Sequence, residues 1–187
     1  AAGKRLKGVA PGLGFSARWL LRGGIVLFGF SLTVQQLMAL GPKVVLLDSL
    51  VVVTITTAGY WLGTRWLKLD RDTAILTSAG SAICGAAAVL ATEGTIRSRP
   101  AATSMAVATV VLFGTLAMFV YPVLYPLMGW DEGLYGVYIG STVHEVAQVV
   151  AAGGAVGQDA LTNAVIVKLV RVMLLVPFLL VIGQIWN

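Results

Sequence analysis

The chain has 187 residues, of which 58% are hydrophobic and only 11% charged, with a formal net charge of +5. Soluble domains are about a quarter charged, so this composition, with a mean hydropathy of +0.90, excludes a water-coated globule. The basic residues show no aromatic-interleaved face, which speaks against a nucleic-acid partner, and the single cysteine, Cys84, excludes an intramolecular disulfide and a multi-cysteine metal site.

The opening AAGKRLKGVAPGLG has no initiator Met and no apolar signal core, and is expected to be a cut through a longer chain rather than a targeting peptide. Apolar stretches follow near 19–40, 44–63, 74–92, 102–127, 134–152 and 161–186. Several approach the roughly 20 residues that a helix needs to cross a hydrocarbon core. None alternates with the period of a membrane barrel. VVVTITTAGYWLG would suggest a strand in water, but in a bilayer the backbone has to satisfy its own hydrogen bonds, which favours helix. The expected fold is all-α, a polytopic transmembrane helical bundle forming a single transmembrane domain over 1–187.

Loop charges give the orientation. Lys4, Arg5, Lys7, Arg18 and Arg22 place the start of the first span in the cytoplasm, and Arg65, Lys68 and Arg71 fall on the same side. Arg97 and Arg99 join them only if 74–92 enters and returns, or is broken, which leaves the acidic GWDEG loop outside. Asp48 and Glu93 lie near predicted span edges and read as solvated boundary residues. The Trp and Tyr residues at 60, 61, 66, 121, 125, 130 and 135 flank spans as aromatic belts do.

An internal repeat supports the broken segment. GSAICGAAAVLATEG (80–94) and GSTVHEVAQVVAAGG (140–154) align without gaps at an offset of 60, sharing Gly80/Gly140, Ser81/Ser141 and Gly94/Gly154 among others. Small residues recur in membrane helices because they allow close packing. The alternative is a pair of inverted repeats with discontinuous or re-entrant helices, as in secondary transporters. Each Gly-Ser then marks a break, at Gly80 and Gly140, and the half-helix that follows points free N–H groups at a ligand.

Two constellations carry chemistry. HEVAQ resembles the start of a zinc-protease helix, but Gln148 occupies the second ligand position and no other histidine exists, so no metal site is expected. His144 and Glu145 either bond across a helix interface or handle substrate and protons. Ionisable groups inside a membrane are by default functional candidates, and an imidazole suits proton exchange. The pair is expected at mid-membrane depth near Ser81. Lys168 and Arg171, three apart on one helix face, either neutralise a buried carboxylate or form an anion site with the half-helix N-termini. They are expected to turn toward both breaks. Ser81, Cys84 and Ser141 are small polar groups at those breaks, and Cys84 has no base beside it in sequence to make it a nucleophile.

GSAICGAAAVLATEG, VATVVLFGTLAMFVYPVLYPLMG, YGVYIGSTVHEVAQVVAAG and VKLVRVMLLVPFLL, with LLRGGIVLFGFSLTV near the start, resemble the YeiH family of proposed sulfate exporters. The resemblance covers nearly the whole chain, which looks like the middle portion of longer family members. It implies an inner-membrane transporter built of inverted repeats, and carries the family's motifs onto Gly80, Ser81, Cys84, Gly85, Gly140, Ser141, His144, Glu145, Gln148, Lys168 and Arg171. The expectation is a secondary transporter for a small anion such as sulfate or a related sulfur oxyanion, driven by protons or membrane potential. Ser81, Ser141, His144, Gln148, Lys168 and Arg171 are the candidate substrate contacts, His144 and Glu145 the proton-coupling pair, and Gly80, Gly85 and Gly140 the break positions. No cofactor is called for, and a homo-oligomer is open. The opposing readings are an intramembrane enzyme using His144 and Glu145, and a structural membrane subunit without a ligand of its own.

Overall fold

The structure, a computed structural model, describes residues 42–186. The expected span at 19–40 and the basic residues Lys4, Arg5, Lys7, Arg18 and Arg22 lie outside the described residues. Among the described residues all regular structure is α-helical, as the bilayer argument requires.

Helix α1 (Pro42–Arg65) takes up the β-branched run as helix. It buries Val44, Asp48 and Val52, spaced four apart on one face, while Leu46, Leu50 and Val53 remain exposed. The same inversion of a soluble pattern marks α4 (Pro100–Met128), which exposes Phe113, Phe119 and Val123 and buries Ala106, Val110 and Gly114. Large apolar groups face outward because lipid, not water, is the solvent there, and small ones face inward where helices approach closely. α7 (Gln158–Met173) and α8 (Leu175–Trp186) follow one another with a local irregularity at Leu174. Pro177 has no N–H to give the Met173 carbonyl. Among the described residues three segments are long and apolar enough to cross a membrane: Lys43–Arg65, Pro100–Met128 and Gln158–Trp186, with 23, 29 and 29 residues.

The remaining two apolar stretches are each interrupted. The first consists of α2 (Arg71–Ala82) and α3 (Ala86–Ile96), the second of α5 (Glu132–Thr142) and α6 (Val146–Val156). α2 and α3 fold back on each other. A Cβ on Gly80 would meet Val89 Cγ2 at 2.6 Å, whereas residues nine apart in an unbroken helix are separated by about 13 Å. Ile75, Leu76 and Val89 share a core with Ile96 packed against it. The open ends of this hairpin also meet: Asp70, the N-cap of α2, pairs with Arg99 at 3.1 Å. Hydrogen bonds from the Thr73 backbone N–H and hydroxyl, with Arg99 adding to them, hold the Asp70 carboxyl below the ordinary carboxylate range.

The second hairpin closes in the same way. Glu132 Oε1, in the first turn of α5, accepts from the backbone N–H of Asp159 at 2.8 Å and of Ala160 at 3.2 Å. The chain leaving α6 has therefore come back to where α5 began. The long helix α4 separates the two hairpins along the chain, and their tips touch: a Cβ on Gly85 would lie 2.8 Å from Glu145 Cγ and 3.5 Å from the His144 carbonyl carbon. Gly85 has a φ of 66°, a region that glycine enters without steric cost.

The breaks lie at 83–85 and 143–145, not at Gly80 and Gly140, which stand inside the last turns of α2 and α5. Both glycines serve close approach instead. A Cβ on Gly140 would sit 2.5 Å from the Ala164 carbonyl oxygen, and one on Gly136 would sit 2.5 Å from that of Ala160. α5 and α7 therefore meet along a small-residue seam of the kind that packs membrane helices. Of the three expected break positions, Gly85 is at a break.

Candidate functional site

Every helix ends with carbonyls that have no partner inside the helix, and here two such ends, Ala82 of α2 and Thr142 of α5, come together in the interior. α7 supplies what they lack. Lys168 Nζ donates to Ile83 O at 2.7 Å and to Val143 O at 2.8 Å, joining the two breaks through one ammonium. Arg171 Nε donates to Ala82 O at 3.1 Å. Its Nη1 reaches Gly140 O at 3.3 Å and also Ser141 O, and its Nη2 reaches Ser81 O at 3.3 Å and also Ala82 O. A guanidinium has five N–H donors, and all are directed at break carbonyls. Both side chains are 0% exposed. Each C-terminal helix end carries a partial negative charge of about 0.5, so two cations are placed where two negative dipole ends converge.

On the other side of each break a helix begins. α3 starts behind Gly85 with no side-chain cap. α6 starts behind Glu145, whose backbone N–H donates to Gln148 Oε1 at 3.1 Å. Gln148 is buried, its Nε2 donates to Thr115 Oγ1 at 3.3 Å, and its amide lies against Gly114 of α4. This glutamine fixes the start of α6 against the neighbouring span.

Beside the crossing lies a cavity of about 420 Å³ between the two hairpin tips and α4. Ser81, Thr142, His144 and Tyr121 give it polar groups, and Phe113 and Leu116 give it an apolar wall. His144 also lines it, and its Nδ1 is buried with no hydrogen-bond partner among the described residues. Ser141 faces elsewhere, its hydroxyl donating to Val137 O at 2.8 Å.

Asp48 corrects the sequence reading. Expected at a solvated edge, it is 0% exposed, and neither carboxyl oxygen has a hydrogen-bond partner among the described residues. Its helix neighbour Val52 packs on Ala82, Ile83 and Cys84, so Asp48 sits beside the first break. Lys168 and Arg171 are its electrostatic neighbours, yet neither closes an ion pair with it.

The family model described as "Conserved hypothetical protein 698" matches residues 3–187. The chain belongs to this family. A UPF0324 membrane protein of Pseudomonas aeruginosa is 52% identical over 182 residues, covering 94% of this chain and 51% of that protein. A UPF0324 membrane protein of Bacteroides thetaiotaomicron is 48% identical over 173 residues, 91% of this chain and 51% of the relative. The UPF0324 inner membrane protein YeiH of Escherichia coli is 49% identical over 174 residues, 92% and 50% respectively. The chain spans about half the length of the curated relatives it matches. No solved structure matches it. With three apolar spans and inner-membrane relatives, it is a multi-pass inner-membrane protein.

In this UPF0324 chain the residues singled out from sequence converge on one region but take different places in it. Ser81 and His144 line a common cavity. Lys168 and Arg171 turn toward both breaks, as expected, and bind backbone carbonyls there. Glu145 touches Gly85 across the tips, and Gln148 holds the start of α6. Sequence reasoning missed Thr142 and Tyr121 in the cavity and Asp48 behind it. Tyr121, which flanks a span as belt residues do, stacks on Tyr138 with ring centroids 5.0 Å apart while also lining the cavity.

Proposed function

We propose that this chain forms the core of a secondary transporter, not an enzyme, for a small oxyanion such as sulfate or a related sulfur oxyanion. The charge balance of the crossing is the observation that carries this reading. Lys168 and Arg171 bring two positive charges, opposed by the Glu145 carboxylate and by two C-terminal helix ends that sum to about one negative charge. The N-terminal ends of α3 and α6, meeting at Gly85 and Glu145, return about one positive charge. With Asp48 neutral, about one positive charge remains uncompensated. The adjoining cavity, lined by the Ser81 hydroxyl, Thr142 and His144, is where an anion would meet that charge. The cations act on that anion through the field of the crossing, because their own N–H groups are directed at carbonyls.

Two hairpins whose open ends close at Asp70–Arg99 and at Glu132–Asp159, and whose tips touch, support re-entry of each from opposite membrane faces. Together with the offset of 60 between the glycine-rich motifs, this favours an inverted repeat around a central site. The basic loops at 65–71 and 97–99 then share the cytoplasmic side.

The test is binding and flux of sulfate, sulfite and thiosulfate by the full-length protein in detergent and in proteoliposomes. Ser81→Ala and His144→Gln each remove a hydrogen bond to a charged ligand, about 1.5–3 kcal/mol, and should weaken binding by about 10–100-fold with little change in melting temperature. Binding of none of the three anions, or unchanged affinity in both variants, defeats the reading. Release of a hydrolysis product without flux would mark an enzyme instead.

A further inference from the structure

Resting on the anion-transport reading, we infer that Asp48 is the proton site of this protein: it is neutral when the crossing holds an anion, and it ionises when the anion leaves.

The inference starts from an incompatibility. A carboxylate buried without a donor or a touching cation is among the most unfavourable groups a protein can hold. Asp48 is fully buried with both oxygens unpartnered among the described residues. The neutral acid is the form that this surrounding tolerates. Its setting is nevertheless arranged for ionisation. Lys168 uses two of its three donors on Ile83 O and Val143 O, and the third is what an ionised Asp48 would recruit. Arg171 has no such reserve, because its N–H groups are committed to break carbonyls.

The charged and titratable groups around Asp48 come from each element packed near it. α7 brings Lys168 and Arg171, and the first break brings the Cys84 thiol, in the same cluster as Val52. α2 brings none, since its Arg71 and Asp72 lie in its first turn, at the end remote from Ala82. Glu145 of the second break acts on Lys168.

Charge then couples the two ligands. With Asp48 neutral the crossing holds about one surplus positive charge. With Asp48 ionised that surplus is cancelled from within. An entering anion therefore raises the proton affinity of Asp48, and a departing anion lowers it, so anion and proton bind together. The proton passes from water to an Asp48 oxygen on anion entry and returns to water on exit, with no other bond changed. By this reading His144, which lines the cavity, contacts the anion and does not carry the coupled proton.

Infrared difference spectroscopy on the full-length protein in lipid tests Asp48 without requiring any transport. A pH titration should show a carboxylic-acid carbonyl band that disappears as pH rises and is missing from Asp48→Asn, an isosteric neutral replacement that keeps the fold. Adding sulfate at fixed pH should strengthen the band in wild type and take up about one proton per anion bound, read by a pH dye in weakly buffered solution. Asp48→Asn should bind sulfate without proton uptake. A titrating band in a protein that does not bind sulfate defeats the anion reading and leaves Asp48 as a proton site, whereas sulfate that binds and leaves the band unchanged overturns the coupling proposed here. A band that persists in Asp48→Asn, or no titrating band in wild type, overturns the proposal. Failure of Asp48→Asn to fold also overturns it, because the amide reproduces the neutral acid in size and charge.

Discussion

Replacing Lys168 by Met keeps the length and apolar stem of the side chain and removes only the ammonium. Two charge-assisted bonds, to Ile83 O at 2.7 Å and Val143 O at 2.8 Å, disappear together. Hydrogen bonds between transmembrane segments are worth about 0.6 kcal/mol on average and up to about 1.7. Charge assistance about doubles a bond, which puts the pair at about 2–7 kcal/mol. Relief of the lysine's own desolvation acts in the opposite direction. No second donor stands ready to cover the two carbonyls, so the net loss is set at about 3 kcal/mol. Reversible unfolding of the full-length protein in mixed micelles measures this. Lys43→Met, at the exposed start of α1, is the control and should change stability by less than about 0.5 kcal/mol. If Lys168→Met unfolds within about 1 kcal/mol of wild type, the ammonium does not hold the two breaks together and the account of the crossing fails.

Glycines offer a contrast within one protein. Gly140→Ala drives a methyl into the Ala164 carbonyl oxygen at 2.5 Å and should cost about 1–3 kcal/mol by overpacking, whereas Gly94→Ala meets nothing within 4 Å and should stabilise α3 by about 0.5–1 kcal/mol. The same unfolding assay reads both, and equal effects would contradict the packing seam. Gly85→Ala places a side chain at a φ of 66° and against Glu145, for about 1–3 kcal/mol of strain; a neutral result there would mean that the tips do not touch. Asp70 sets a pH dependence. Its carboxyl is held below the ordinary range, so its capping of α2 is complete above the ordinary carboxyl pKa and is lost as pH falls through the depressed one. Hydrogen exchange at the Thr73 amide should therefore speed up in acid beyond its intrinsic rate in wild type. Asp70→Asn should abolish that extra pH dependence while still capping, and persistence of the dependence in the variant would reject the assignment.

The helical class, the spans at 44–63 and 102–127 and the interrupted stretches were legible because a bilayer leaves the backbone few choices. Lys168 and Arg171 stood out for a related reason: cations that deep need partners, and the partners proved to be the two breaks. The location of the breaks was not legible. Gly80 and Gly140 carry the glycine signal, but what lets the helices stop at Ala82 and Thr142 is a set of donors on α7. Arg171 reaches Ala82 across 89 positions of sequence and Ser141 across 30, and no local pattern encodes such a partner. Asp48 was misread because four residues past the start of the 44–63 stretch looks shallow. Its depth follows from α2 and α7 closing over that face of α1, which is a property of packing and not of hydropathy.

The donors that close both breaks are synthesised after them. Residues 81–83 and 140–143 leave the ribosome before Lys168 and Arg171, so for that interval neither hairpin tip can meet its hydrogen-bonding demand inside hydrocarbon. With the hairpins re-entrant as proposed, insertion is ordered by the chain itself: the tips should wait in a wet or protein-lined compartment until α7 arrives, and then enter together. A nascent chain arrested before residue 168 should leave both tips accessible to water-soluble thiol reagents, at Cys84 in the first and at a cysteine placed at Val143 in the second. Extending the arrested chain past residue 171 should protect both at once.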